Sequence, residues 1–194
     1  IEKGEVWING TLATMGTKVM PGDTVMVHHT TITPCQKEYL LAFHKPAGIV
    51  CTTSKIDKNN VIDYLNFPER IYPVGRLDKE STGLLLLTNN GQLMDDVLRG
   101  SNYHEKEYIV HVNKPITDSV LQAMAQGVPI LDTITRPCKI RRMGKDCFYI
   151  TLTQGLNRQI RRMCEYFDYR VTSLKRIRIM NIELGSLPVG KWRE

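Results

Sequence analysis

The sequence GRLDKESTGLLLLT, residues 75–88, joins a polar loop directly to a continuous apolar run. Its four consecutive leucines are bounded by polar residues on both sides, which is the pattern of a strand covered on both faces. A reactive side chain is held most firmly on a loop that is anchored to a rigid, buried strand. The stretch therefore predicts a strand from Gly83 to Thr88 and, just before it, a candidate site centred on Asp78.

Asp78 is the candidate catalytic carboxylate of this loop. Arg76 lies two residues before it, and Ser81, Thr82 and Gly83 follow with hydrogen-bond donors. In a partly buried site, a guanidinium and several donors stabilise the ionised form of a carboxylate and orient it. The spacing alone also fits an Asp that simply closes a turn, because Asp is common in turns.

A second polar segment, QGLNRQIRRMC at residues 154–164, predicts the start of a helix. Asn157 suits the N-cap, and apolar residues follow at helical spacing. Arg158, Arg161 and Arg162 then lie near the positive end of the helix dipole, where each cation costs about 0.3–1 kcal/mol. A compensating anion is expected, either the carboxylate of the preceding loop or ligand phosphates, since both match the guanidinium fork. The alternative is a solvated, arginine-rich face.

The segment HEKEY, residues 104–108, opens a strand of alternating residues that is predicted to end at Val112. Lys106 and Tyr108 fall on the same side of this strand. A Tyr in this place suits stacking beneath a planar base, while the flanking Lys suits a phosphate. An inward-facing Tyr is also common as an ordinary core residue, so both interpretations stay open.

Composition excludes several classes of protein. An apolar content of 42% is enough for one substantial core with one small module beside it. No apolar run approaches the roughly 20 residues that a membrane span needs, so no membrane association is expected. The five cysteines have irregular spacings without a CxxC or a nearby His pair, which favours a reduced, cytoplasmic compartment and gives no sign of a zinc site.

Positive charge is concentrated in the last third of the chain. The net charge is +6, and the segment Arg136–Arg178 holds twelve Lys or Arg residues against three acidic ones. Because this basic segment is interleaved with Tyr, Phe and amide side chains, it predicts a surface that tracks phosphates. A solvated, solubilising face is the alternative.

The chain divides into a small module and a main domain. An Asn9-Gly10 turn signal joins short strand-like pieces at the start, and His28–Lys37 has the composition of a linker. We therefore place the module with its linker at residues 1–37 and the main domain at 38–194. Because the chain begins with Ile1 rather than Met, we expect the natural protein to extend further.

The main domain alternates short strands with short helices. One helix is predicted from the N-cap Thr117 through Gln126, with Gly127 beyond its end.

Taken together, these motifs resemble those of the RsuA-like pseudouridine synthases, which modify ribosomal RNA, and within that family the F-type synthases of the large ribosomal subunit are most similar. The resemblance covers nearly the whole chain and rests on four motifs in the order of the family: KPAG at residues 45–48, GRLD with its GLLLLTN continuation at 75–89, KEY at 106–108 and NRQIRRM at 157–163. It implies an α+β fold, with an antiparallel-rich mixed sheet flanked by helices and preceded by part of an S4-like RNA-binding module.

The resemblance also implies an activity, the isomerisation of a specific uridine in structured RNA to pseudouridine, with 23S ribosomal RNA as the expected substrate. No cofactor and no metal are implied, and we expect a monomer. Asp78 would act on the target nucleoside, Tyr108 would pack against the flipped uracil, and Arg161 would pair with Asp78. The residues expected to contact RNA are Arg76, Lys45, Lys106, Arg158 and Arg162.

Other functions remain open at this point. The same basic surface would serve a non-catalytic RNA-binding or ribosome-assembly factor, and small-subunit ribosomal RNA and transfer RNA are alternative substrates for a synthase of this type. A carboxylate-dependent nucleoside glycosidase is a third alternative. Such hydrolysis usually requires two cooperating carboxylates, and the sequence near Asp78 offers no convincing second acid.

Overall fold

In the computed structural model of the chain, the described residues are 1–33, 37–54, 56–98 and 103–194. They form two compact units, Ile1–Glu38 and Tyr39–Glu194. No helix among these residues combines the length and the apolar character that crossing a membrane requires.

The first unit is a four-stranded antiparallel sheet in the order β2-β1-β3-β4. Its strands are β1 (Val6–Ile8), β2 (Thr11–Leu12), β3 (Val25–Val27) and β4 (Thr30–Ile32). Positive φ at Asn9 and Gly10 makes the predicted tight turn between β1 and β2. The linker prediction for His28–Lys37 was wrong in part, because β4 pairs with β3 across a second positive-φ turn at His28 and His29. Residues 34–36 of that predicted linker lie outside the described residues.

The second unit contains a nine-stranded sheet with four helices among its described residues. Its elements are β5 (Leu40–Lys45), α1 (Val61–Leu65), β6 (Tyr72–Val74), β7 (Thr82–Thr88), α2 (Gly91–Leu98), β8 (Lys106–Val112), α3 (Asp118–Gln126), β9 (Pro129–Ile130), β10 (Thr133–Ile134), β11 (Lys139–Arg142), β12 (Cys147–Leu152), α4 (Gln159–Tyr166), β13 (Val171–Ile179), β14 (Ile182–Glu183) and β15 (Trp192–Arg193). The strand order is β11-β12-β8-β13-β7-β5-β15, with β6 beside β7 and β14 beside β13. All these pairs are antiparallel except β13 with β7, which confirms the predicted antiparallel-rich α+β fold.

Strand β7 is central to the sheet, as its apolar run predicts. All four leucines are at most 1% exposed. Leu85 and Leu87 pack into a cluster with Phe43 of β5, whereas Leu84 and Leu86 pack into a second cluster on the other face. A strand buried on both faces is a rigid support for the loop that precedes it.

Helix α3 also follows its sequence signals. The side-chain oxygen of Thr117 accepts a hydrogen bond from the Val120 N–H, and Gly127 follows the last helical residue with a φ of 121°. Leu121 and Met124 face a large cluster that also contains Ile160 and Met163 of α4. The two helices therefore cover the same half of the sheet.

Strand β13 shows that the predicted phosphate-tracking surface of the basic segment is wrong in part. Residues 171–178 of the basic segment belong to this strand, which lies between β7 and β8 and has Leu174 and Ile179 buried. Arg176 is also buried, and Arg178 pairs with carboxylates on β8 and just before it. The basic segment is therefore not one continuous phosphate-tracking surface, because strand alternation sends part of its charge into the protein.

Candidate active site

The loop between β6 and β7 holds Asp78 at the start of the central strand. The Asp78 carbonyl accepts a hydrogen bond from the Ser81 N–H at 3.0 Å, so the backbone of Asp78 does close a turn. The Lys79 carbonyl accepts a second bond from the Gly48 N–H at 2.7 Å. The Asp78 side chain is 28% exposed. The turn and a reactive carboxylate are thus compatible, because the turn uses only the main chain.

Two arginines of the α4 region approach the same oxygen of Asp78. Arg161 Nε lies 3.5 Å from Asp78 Oδ2, and Arg158 Nη1 lies 3.7 Å from it. Arg161 is almost fully buried and donates from Nη2 to Ser81 Oγ at 3.1 Å, whereas Arg158 also reaches Glu80 Oε2 at 3.3 Å. The structure therefore brings together Asp78 and Arg161, the pair that the sequence predicted.

The start of α4 differs from the prediction in one respect. The N-cap is Arg158, in a left-handed conformation and without a side-chain cap, so the choice of Asn157 was wrong. The main-chain and side-chain oxygens of Asn157 instead accept hydrogen bonds from Arg162 at 3.1 and 3.3 Å. Left-handed backbone at Arg158 is uncommon for a residue with a side chain, and it turns the chain immediately before the helix.

Lys45 was expected to contact RNA, and the structure contradicts this. Its side chain is fully buried, and Nζ donates to the carbonyls of Pro46, Lys79 and Ser81 at 2.9, 3.3 and 2.8 Å. Burial lowers the pKa of Lys45 from its ordinary value. Because two of the three carbonyls belong to the loop that carries Asp78, Lys45 fixes that loop from inside the protein.

A cleft of about 1020 Å³ opens beside Asp78. Among the predicted site residues, those that line it are Asp78, Arg76, Lys106, Tyr108 and Arg158. Tyr108 is half-buried and packs against two hydrophobic clusters of the core, one that contains Phe148 and one that contains Phe43. The predicted stacking residue therefore lies in the same cleft as the carboxylate, which suits a planar group bound between them.

Arg162 and Arg161 do not line this cleft. Arg162 is partly exposed and is engaged with Asn157, so it offers its charge beside the cleft. Arg161 reaches the loop instead, and its distance to Asp78 leaves the Arg161 Nε without a hydrogen bond.

Sequence reasoning gave no individual role to Arg176, which also lines the cleft. The residue is 3% exposed, and its Nε donates to the Leu84 carbonyl at 2.7 Å. Its guanidinium carbon lies 6.0 Å from the centre of the Tyr108 ring. Gly83 allows the main chains of β7 and β13 to approach closely at Arg176, since a Cβ there would lie 2.1 Å from the Arg176 carbonyl oxygen. The β-branched residues of β13 are the sequence signal that would have predicted a strand here.

One group of potential metal ligands occurs among the described residues, and none of its members lines the cleft. Ligand atoms of His111, Asp146 and Cys147 lie within 4.8 Å of one another. Among the described residues that line the cleft, Asp78 is the one carboxylate and two arginines approach it, which is not a donor set that a divalent metal ion favours.

Comparison with known proteins decides the family of this chain. A family model described as RNA pseudouridylate synthase matches residues 39–166. The chain belongs to this family. The matched range contains the Asp78 loop, the strand of Tyr108 and the whole of α4. This chain is therefore an RNA pseudouridine synthase, an isomerase.

Curated RNA pseudouridylate synthases extend the match to the whole chain. The chain is 50% identical to the dual-specificity RNA pseudouridine synthase RluF of Escherichia coli (strain K12) over 100% of its own length and 68% of that protein. It is 32% identical to the ribosomal large subunit pseudouridine synthase B of Bacillus subtilis (strain 168), over 100% of this chain and 83% of the relative. These relatives support the predicted similarity to the F type.

A solved structure of the same family supports the fold. A crystal structure of a pseudouridylate synthase superposes with a TM-score of 0.77 at 26% identity, covering 99% of this chain and 85% of the other. The candidate active site thus lies in a pseudouridylate synthase fold.

Proposed function

We propose that this synthase isomerises a specific uridine in 23S ribosomal RNA and that Asp78 is its catalytic carboxylate. One observation carries the proposal: Asp78, the one carboxylate among the described residues that line the cleft, is approached by Arg161 and Arg158 and shares the cleft with Tyr108. The names of relatives support the RNA class, since one is a ribosomal large subunit synthase and another is a dual-specificity RNA synthase.

The chemistry assigns one task to each of these residues. Asp78 attacks or deprotonates the target nucleoside, so that the bond between N1 of uracil and C1′ of ribose breaks. The uracil then rotates against Tyr108, C5 bonds to C1′, a base takes the proton from C5, and N1 gains a proton from solvent. Arg161 orients the Asp78 carboxylate. Atoms and charge balance without a cofactor, because the net reaction is an isomerisation.

RNA must open before the base reaches Asp78, and we assign this step to the cations in and beside the cleft. Arg76 fills the gap that the flipped nucleotide leaves, which limits an unstacking cost of a few kcal/mol. Lys106, Arg158 and Arg162 hold phosphates. Replacing Arg158 by Ala should weaken RNA binding and make its dependence on salt shallower, while an unchanged slope would assign Arg158 a structural role.

We also propose that the first unit is the second half of an S4-like RNA-binding module. Its support is the resemblance of residues 1–29 to that module. We further propose that the enzyme works in the cytoplasm as a monomer. Light scattering of the purified protein at micromolar concentration tests the monomer, and a dimer mass would overturn it.

Tritium release tests the catalytic proposal directly. RNA containing 5-tritiated uridine loses tritium when C5 becomes bonded to ribose, so wild-type protein should release tritium from 23S RNA. Small-subunit RNA and transfer RNA, assayed in parallel, test the other substrates, and free uracil as the product would indicate a glycosidase. If no ribosomal substrate releases tritium, the proposed substrate class is wrong.

A further inference from the structure

Two cations share the cleft face of the strands β8 and β13. Arg176 lies opposite Tyr108 in the sheet, and Ile179 lies opposite Lys106, so Lys106, Tyr108 and Arg176 all project from one face. All three line the cleft. This face therefore presents one aromatic ring and two positive charges to whatever the cleft binds.

Neither cation has a carboxylate within 4 Å among the residues that the structure describes. Lys106 Nζ makes only a long contact, at 3.5 Å, with the His104 carbonyl. Arg176 donates to the carbonyls of Leu84 and Arg76 at 2.7 and 3.5 Å, and its Nη2 is buried without a partner. Carbonyls satisfy donors but do not neutralise charge.

The opposite face of the same strands is built differently. Arg178 lies 2.9 Å from Glu107 and 3.0 Å from Glu105, and Lys139 lies 2.8 Å from Glu105. On that face, Arg178 and Lys139 are therefore each paired with a carboxylate. The absence of such a partner beside Lys106 and Arg176, within the described part of the chain, leaves excess positive charge at the cleft.

The excess charge is not balanced by Asp78, which is already approached by Arg161 and Arg158. Burial, and after it the charge of Arg176, lowers the pKa of Lys106. Two cations that repel each other in a partly desolvated place gain most from a shared anion.

We propose that Lys106, with Arg176 behind it, forms a phosphate subsite for one backbone phosphate next to the target uridine. The proposal rests on the proposed function, since RNA supplies the phosphate. Lys106 supplies the direct ligand, its Nζ, because Lys106 lines the cleft and is less buried than Arg176. Arg176 is a positioning residue, whose fixed charge lies beneath Tyr108 and whose bond to Leu84 ties it to β7. The subsite anchors the nucleotide by its backbone while the base lies against Tyr108.

Single neutral linkages in the RNA test this subsite. A stem-loop containing the target uridine is prepared with one methylphosphonate at a time, and its binding to wild-type protein and to Lys106→Met is measured. In wild type, one linkage beside the target should weaken binding about tenfold, as loss of a charge-assisted hydrogen bond does. In Lys106→Met, binding to unmodified RNA should be weaker by about the same factor, and this linkage should have no further effect.

Lys175→Met is the matched control, because Lys175 precedes Arg176 on β13 and projects from the opposite face. It should leave the effect of every linkage as in wild type. The subsite is refuted if every methylphosphonate linkage weakens binding to Lys106→Met as much as it weakens binding to wild type. It is also refuted if Lys175→Met abolishes the effect of the linkage beside the target.

Arg176 is tested by a variant that keeps its charge. Arg176→Lys should fold and retain most of the linkage effect, whereas Arg176→Met should reduce it. Equal loss of the effect in both variants would assign Arg176 a purely structural role and overturn its part in the subsite. Tritium release by wild type on the same stem-loop reports the proposed function independently. If one linkage weakens binding as expected but no tritium is released, only the proposed isomerisation is refuted. If tritium is released but no linkage weakens binding, only the phosphate subsite is refuted.

Discussion

Two groups of this protein combine arginine with carboxylates, but they differ in their distances and hydrogen bonds. In the first, Arg178 meets Glu107 and Glu105 at 2.9 and 3.0 Å. In the second, Arg161 stays 3.5 Å from Asp78, and its Nε makes no hydrogen bond. We call Arg178, Glu107 and Glu105 the closed group, because hydrogen bonds join the arginine to both carboxylates. In the second group, Arg161 and Asp78 lie near each other without such a bond.

The difference matches a structural role for the first group and the proposed catalytic role for the second. Hydrogen bonds from Lys139 and Arg178 hold the pKa of Glu105 below its ordinary value. A carboxylate held in this way gains little from a further partner. Asp78 receives two cations at long distance and borders the cleft, so its oxygens remain available to a substrate.

Removing the two carboxylates should give the largest contrast. We expect Asp78→Asn to reduce pseudouridine formation by at least about 10³-fold, because the amide is neither nucleophile nor base. Its RNA affinity and thermal midpoint should stay near those of wild type. Tritium release and filter binding measure the two effects.

The matched control is Glu107→Gln, the same change in the closed group, which should keep its activity. An active Asp78→Asn protein would remove Asp78 from its catalytic role.

Removing the arginines should give the next largest contrast. Arg161→Met takes away the nearest cation of Asp78 and the bond to Ser81, so the turnover rate should fall about 10²-fold. Arg161→Lys keeps the charge and should recover part of the rate. If both variants retain full single-turnover rates, the Asp78–Arg161 pair is not part of the catalytic machinery.

Arg178→Met should lower stability without lowering the rate. Loss of a partly buried ion pair is expected to reduce the free energy of unfolding by about 1 kcal/mol. Urea unfolding followed by circular dichroism measures this change. A variant that is fully stable but inactive would reverse the assignment of the two arginines.

Lowering the pH should give the smallest of these effects, a loss of the stability that the closed group contributes. The pKa of Glu105 is lowered from 4.5 in the folded protein, so its stabilising contribution is complete above that value and is lost as the pH falls below it. Glu105→Gln should therefore unfold with a shallower dependence on pH in this acidic range. Identical thermal midpoints for wild type and variant at every pH would show that the pairing contributes nothing.

The sequence by itself determined the elements whose signals are local. The leucine run predicted β7, Thr117 and Gly127 predicted the ends of α3, and Asn9-Gly10 predicted a hairpin turn. Each of these signals lies within a few residues of the structure that it specifies. The candidate carboxylate followed in the same way, because a polar loop before a buried strand is visible in the sequence.

Only the tertiary structure decided which cations face the cleft. Lys45 lies in a motif of the family, yet it is buried against loop carbonyls that are more than thirty residues away. Arg176 and Arg178 belong to one basic segment but project from opposite faces of β13, because the pairing register with β8 shifts between them. The fate of a charge depends on partners that are distant in the sequence, and strand pairing sets those partners. Composition gives the number of charged side chains, and only the fold determines whether a given side chain binds a carbonyl, pairs with a carboxylate or faces the cleft.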